Sequence, residues 1–295
     1  MSKASIVMTT YNSQEYVEDA IASVLEQTLT NWELLIVDDC STDDTLPKIE
    51  SRAKADDRIV IIRNDRNMGP GSARNAGINR SRGEWVALLD ADDWWERDRL
   101  EELINFGEQR HLDVVLDDLI LHDEVTHKSN RLWSDVAPSV KRYLGHDVKL
   151  SDICGTSLSS FHPVVRRSSL QAAGIRYPDV RRSEDFGFLV EVAWSGLAIA
   201  VYPGAKYHYR LRNSGKGLSM YRGIYQSRRH YAQFMRSHQS ENVSQEDIQQ
   251  AIRYLKQQAR MGYRMYVLRK MLNTLVPNSA VKNALVRVYH LFREF

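Results

Sequence analysis

The sequence predicts an α/β fold: a mostly parallel central sheet flanked by helices, with a helical extension at the C-terminal end. Three observations carry this. Short apolar runs recur at 5–12, 32–39, 58–64 and 84–90 and end in polar residues. The stretches between them show helical periodicity or helix-opening residues. From 221 onward strand signals stop, and Tyr, Arg and Gln become abundant. Near-continuous apolar strands belong to parallel sheets buried on both faces.

The first strand opens at Ser5-Ile6-Val7-Met8 and runs into Thr9-Thr10-Tyr11-Asn12. Val17, Ala20, Ile21, Val24 and Leu25 then mark one face of a helix, with Asn12 and Glu15 as its expected N-terminal cap. A second strand at 32–39 precedes a helix opening on Ser41, Thr42 and Asp43. The third strand is 58–64, and a helix over 70–81 follows the Gly69-Pro70-Gly71 turn. The fourth strand, 84–90, leads to a helix over 97–110. Beyond 110 the pattern loosens. It gives a strand or hairpin at 112–123, a polar insertion at 124–152, and a strand leading to a short helix at 159–174. A helix over 182–196, a strand over 197–203 and a helical region over 221–295, broken at Pro277, complete the chain.

At 295 residues, 43% hydrophobic and 26% charged, the composition is that of an ordinary globular protein. The net charge of +2 hides a segregation. Residues 205–295 hold 17 Lys and Arg against 4 Asp and Glu, a balance of +13, which leaves −11 on the rest. A basic end of this kind implies an anionic partner: phosphate groups, a membrane surface or nucleic acid. No recognised nucleic-acid motif accompanies it. Cys40 and Cys154 make neither a disulfide framework nor a zinc spacing, which points to reduced thiols in a cytoplasmic protein. No stretch reads as a signal peptide or reaches the roughly 20 apolar residues of a membrane span.

Ligands of parallel α/β sheets bind outside the carboxyl ends of the strands. Three strands here end in Thr9-Thr10-Tyr11, Asp38-Asp39 and Asp90-Ala91-Asp92-Asp93. The last is costly without a partner, because clustered carboxylates repel and resist desolvation. Asp90 and Asp92 could hold magnesium or manganese, both of which favour carboxylate oxygens and bridge to substrate phosphates. Alone, the same turn reads as a solvated acidic helix cap. Asp39 could accept a hydrogen bond from a base or ribose, or belong to a helix cap. Tyr11 could stack on a base or be half-buried packing. Gly69-x-Gly71-x-x-Arg74 follows the third strand and lacks the third glycine, so it is not a dinucleotide fingerprint. It would let backbone approach a ligand while Arg74 reaches in.

Taken in order, "SIVMTTYN", "VDDCSTDDT", "NMGPGSARNAGI", "LLDADD" and the Glu184-Asp185 pair resemble the inverting family 2 nucleotide-sugar glycosyltransferases of the GT-A fold, over roughly 4–215. A narrower likeness is to bacterial exopolysaccharide and succinoglycan-type transferases. The resemblance implies that Thr10, Tyr11, Asp39, Arg74 and Asp90 bind the nucleotide. It implies Asp92 as a ligand of Mn2+ or Mg2+, and Asp185 as the catalytic base. From local sequence, Glu184 and Asp185 are also ordinary acids at a helix start. His208 is a candidate further metal ligand, although a lone histidine is more often structural. Glu184, Arg210, Lys216 and Trp94 are candidates for diphosphate or acceptor contact. Thr9 stands where many members have proline, and Cys40 where glycine or asparagine is frequent.

The expected organisation is a GT-A catalytic domain over 1–220, with a nucleotide-binding half at 1–110 and an acceptor-binding half at 111–220. A basic helical region follows at 221–295. The expected reaction moves a hexosyl group from a nucleotide-diphosphate sugar, a UDP-sugar first, to a saccharide or lipid-linked saccharide in cell-surface polysaccharide synthesis. Peripheral contact with the inner membrane face would run through the basic helices. Two alternatives compete: a degenerate nucleotide-sugar or polysaccharide-binding protein, and a sugar-1-phosphate nucleotidyltransferase, whose glycine-rich arginine signature is missing from the first strand–helix loop.

Overall fold

A computed structural model describes residues 2–124, 128–180, 183–211 and 218–275. Its first half is a run of strand–helix units: β1 (Ala4–Thr10), α1 (Val17–Leu25), β2 (Trp32–Asp38), α2 (Thr45–Ala53), β3 (Ile59–Arg63), α3 (Pro70–Arg80) and β4 (Trp85–Asp90). These strands are parallel, in the order β3-β2-β1-β4. The chain therefore winds outward from β1 to β3, then crosses back to place β4 on the other side of β1. That reversal opens a crevice at the carboxyl ends of β1 and β4, where Thr9 pairs in register with Asp90. Both sheet faces are covered, and β1, β2 and β4 are almost wholly buried.

The second half comprises β5 (Trp94–Trp95), α4 (Arg99–Gln109), β6 (Val114–Asp123), β7 (Lys128–Leu132), α5 (Trp133–Val136), α6 (Leu150–Gly155), β8 (Val164–Arg166) and α7 (Arg167–Ala173). It continues with α8 (Glu184–Trp194), β9 (Ile199–Leu211), α9 (Leu218–Ser237) and α10 (Gln245–Leu275). Short β8 joins β4 to β6 by antiparallel pairing, and β9 runs parallel to β6. The edge strand β5 pairs antiparallel with β9. Most of the register in the sheet is parallel, as the apolar strand runs predict.

Three local expectations change. The helix cap expected at Asn12 does not form, because α1 starts at Val17. Asn12 instead takes a left-handed backbone with φ 49°, and its Oδ1 accepts the Thr42 N–H at 2.8 Å, tying two rim loops together. The strand expected over 197–203 extends to Leu211. Pro203 and Gly204 fall where the register with β6 shifts, between the Leu116–Val201 and Asp118–Ala205 pairs, so they bend the strand without ending it. The C-terminal helical region is interrupted before α10, where Ser244 Oγ accepts the Asp247 N–H. Pro277 lies outside the described residues.

Candidate active site

The crevice is a cleft of about 460 Å³ lined by Thr10, Tyr11, Asp39, Arg74, Asp90, Asp92 and Glu184, among others. Its walls come from strand ends and from the α3 and α8 N-termini, so side chains distant in sequence meet there. Tyr11, 49% exposed, is the one large aromatic of this set left open to solvent. Thr10 Oγ1 is buried and finds no hydrogen-bond partner among the described residues.

Asp39 holds the glycine loop. Its carboxylate accepts the Met68 and Gly69 N–H groups at 2.8 Å each and the Asn64 side-chain amide at 2.7 Å. Gly69 has φ 87°, which an L side chain rarely adopts, and this bend starts α3 at Pro70. One turn later on α3, Arg74 enters the cleft wall.

Arg74 is the hub. It is 4% exposed and contacts three carboxylates: Asp90 Oδ1 at 2.7 Å, Asp185 Oδ1 at 2.9 Å and Glu184 Oε1 at 3.2 Å. Burial alone would lower the pKa of Arg74, but Asp185 and Asp90 drive it well up. Burial likewise pushes Asp90 upward, yet Arg74 and His162 hold it far below the usual carboxylate range. Glu184 moves up, through burial and the neighbouring Asp185 charge. Asp185 is a third exposed, which keeps it within reach of a ligand.

Beneath the acidic turn, Tyr207 donates its hydroxyl hydrogen to Asp93 Oδ2 at 2.9 Å and accepts the Asp90 N–H at 3.1 Å. His162 stacks on the Tyr207 ring at 4.4 Å, and its Nε2 lies 3.2 Å from Asp90 Oδ2. Asp93 is 1% exposed, and burial, with Asp92 and Asp90 close by, pushes its pKa well up. The ligand atoms of Asp90, Asp93 and His162 lie within 4.8 Å of one another. Crowded oxygen donors with one imidazole are a set that suits a hard divalent cation. A cation there would offset the burial and the neighbouring Asp92 and Asp90 charges that raise Asp93.

Thr10, Tyr11, Asp39, Arg74, Asp90, Asp92, Glu184 and Asp185 thus come together, while other candidates stand apart. Alternate residues of a strand face opposite sides. In β9, Tyr207 reaches the acidic turn, and half-buried Tyr209 is raised in pKa by burial and then by Asp93 and Asp90. His208 turns the other way, with Nδ1 2.8 Å from His122 Nε2 and Nε2 2.9 Å from Glu96. Trp94 stacks on His208 at 4.9 Å and has the Arg210 guanidinium 4.7 Å from its ring centroid. Arg210 grips the turn from outside, its N–H donating to Asp93 and its Nε to the Asp92 carbonyl, both at 2.8 Å. Lys216 lies outside the described residues. His162, Tyr207 and Tyr209 carry no local motif, and only the period-2 phase of "YHYR" could have separated Tyr209 from His208.

A sequence model described as Glycosyl transferase family 2 matches residues 5–167, more than half of the chain. The succinoglycan biosynthesis protein ExoO of Rhizobium meliloti is 33% identical over 213 residues, covering 70% of this chain and 60% of ExoO. The chain thus spans less than two thirds of that relative's length. Staphylococcus aureus TarS 1–349, solved in complex with UDP-GlcNAc, superposes with a TM-score of 0.67 at 24% identity, covering 85% of this chain and 70% of that one. Mannosyltransferase PcManGT from Pyrobaculum calidifontis, solved with GDP-Man and Mn2+, gives 0.67 at 16% identity over 99% of this chain and 81% of that one. At such identities the two structures are similar in fold.

Proposed function

The chain belongs to glycosyl transferase family 2, and from that premise we propose that its cleft transfers a sugar, with inversion, from a nucleotide-diphosphate sugar to a saccharide or lipid-linked saccharide acceptor. A UDP-sugar is the proposed donor, since the related fold of TarS is solved with UDP-GlcNAc. The setting is cell-surface polysaccharide synthesis, as the name of ExoO supports. The observation that carries the reading is Arg74, which joins the acidic strand end at Asp90 to Asp185 at the start of α8. One cation thereby fixes the distance between the donor wall and the proposed base.

In this mechanism Tyr11 stacks on the base, and Thr10, Asp39, Arg74 and Asp90 hold the nucleoside. Asp92 would hold Mn2+ or Mg2+, with Asp90, Asp93 and His162 close by. When bound, the ion supplies positive charge against the diphosphate. The Asp185 carboxylate takes the proton of the acceptor hydroxyl. The freed oxygen pair forms the new bond to the anomeric carbon, while the bond to the diphosphate breaks and its electrons leave with the nucleoside diphosphate. A single displacement of this kind inverts the centre. Tyr207 and His162 fix the acidic turn and keep reorganisation small.

Residues 1–110 are the proposed nucleotide half, 111–220 the acceptor half, and 221–295 a basic helical region that meets the cytoplasmic face of the membrane. A thermal-shift panel of UDP-, GDP- and dTDP-sugars with and without manganese tests the donor and the metal together. A manganese-dependent shift with UDP-sugars that Asp92→Ala removes is the expected result. Wild-type transfer by both Asp92→Asn and Asp185→Asn would overturn the proposal.

A further inference from the structure

Between α9 and α10 lies a second cavity, a groove of about 380 Å³. Ala232 and Ala259 form its buried floor, so two small side chains open space where larger ones would close the helix crossing. Four exposed cations rim it: Arg229 and Arg236 from α9, Lys256 and Arg260 from α10. Two turns separate the α9 pair, about 10 Å along the axis, and about one turn separates the α10 pair. Tyr225 and Tyr263 close one end, with ring centroids 5.4 Å apart.

Among the described residues none of the four cations pairs with a carboxylate; the polar contact they make is Arg229 Nη1 to the Tyr225 hydroxyl at 2.8 Å. The sequence explains this, since neither 218–237 nor 248–275 contains an Asp or Glu. Some exposed cations elsewhere are neutralised, as Lys48 and Arg52 are on Glu18, whereas here four without a carboxylate partner among the described residues gather around a single groove. Four like charges around one groove repel unless an anion joins them. One small phosphate cannot reach cations spread over two helical turns, whereas an array of phosphates can. The remainder of the chain is strongly acidic, so an anionic surface repels it and attracts this end alone. Exposed tyrosine beside arginine and lysine is also the side-chain set that settles at the headgroup level of a bilayer.

We propose that the α9–α10 groove binds the phosphates of anionic phospholipid headgroups and seats the chain on the membrane face. This gives residues and chemistry to the membrane contact of the function proposed above, and it is read out without turnover.

Cosedimentation with vesicles of phosphatidylcholine alone, or mixed with phosphatidylglycerol, tests it. Wild type should bind only the mixed vesicles. Removing four surface cations at an anionic bilayer weakens partition by about a hundredfold or more, which is the loss expected of R229Q/R236Q/K256Q/R260Q. A control with the same charge lost elsewhere, K54Q/R63Q/R80Q/R131Q, should keep most of the binding. Lys256→Glu alone repeats the test if the quadruple variant fails to fold. Equal losses in control and groove variants, or none in the groove variants, overturn the proposal. Equally tight, groove-dependent binding of soluble polyphosphate, or displacement from vesicles by millimolar inorganic phosphate, overturns the lipid assignment. Nucleotide-sugar shifts measured on the same variants separate this outcome from failure of the transfer reading.

Discussion

Arg74 serves three carboxylates with one buried guanidinium, and that arrangement is only as stable as its charge balance. Replacing it by methionine keeps the stem but leaves Asp90, Glu184 and Asp185 facing one another in a part-buried cleft. The expected cost is about 3–5 kcal/mol of stability, measured by denaturant unfolding, with nucleotide binding lost as well. Asp185→Asn is a different kind of change: it nearly preserves shape and removes basicity. It should lower turnover by about a hundredfold or more while leaving the donor-induced thermal shift in place. Glu33 gives a residue-scale pH dependence away from the cleft. Its side chain is 5% exposed and accepts the Ser5 hydroxyl and the Arg82 N–H at 2.7 Å each, with the Arg82 guanidinium at 2.9 Å. Burial pushes its pKa up, but these partners outweigh burial and lower it. A depressed carboxyl stabilises the fold above its unfolded value near 4.3 and loses that contribution as pH falls through the folded value. Chemical denaturation across pH 7 to 3 should therefore show an acid-side loss of stability that Glu33→Gln reduces. At pH 7 the variant should be about 1–3 kcal/mol less stable.

At the scale of elements, helix–sheet contact leaves little slack. A Cβ on Gly77 of α3 would lie 2.4 Å from Val7 Cγ1 of β1 and 3.2 Å from Val37 Cγ2 of β2. Those neighbours are core side chains packed on both flanks, so Gly77→Ala should destabilise by about 1–3 kcal/mol despite alanine's better helix propensity. A thermal melt checks it, and a stabilised variant would contradict the packing argument. The same scale separates what was legible in the sequence from what was not. β1 to β4 and α1 to α4 declare themselves because each is a local pattern, and their carboxyl-end residues follow once the sheet is parallel. His162 does not declare itself. It reaches Asp90 from 72 positions downstream through the short strand β8. Its carbonyl is held by Arg99, a fully buried side chain that also forks onto Asp117 at 2.7 and 3.0 Å. Pairing across such distances leaves no spacing to read. His208 and Tyr209 differ by one strand position, and their opposite facing depends on a register that Pro203 and Gly204 shift.

At the scale of the whole molecule, the basic helices either ride on the sheet-bearing part of the chain or fold with it. Their inner faces are continuous with its core. Phe186, next to Asp185, meets Tyr231 of α9 edge-to-face at 5.8 Å, and Trp194 at the end of α8 meets Phe234 at 5.3 Å. Arg228 of α9 sits 3.2 Å above the Phe186 ring centroid, and burial lowers its pKa to about 10. From α10, Tyr254 packs so closely on Gly155 of α6 that a Cβ there would lie 2.8 Å from its ring, while Ile248, Ala251 and Leu255 are buried. Removing α9 and α10 would uncover Phe186 and Trp194 on α8, the helix that begins with Glu184 and Asp185. Exposed apolar area of that size destabilises and invites association. Calorimetry of the full chain should therefore show one cooperative transition, and a chain ending at 217 should aggregate or melt well below it. Two resolved transitions, with the shortened chain keeping the upper one, would instead make 221–295 an independent unit joined to a self-sufficient α/β unit.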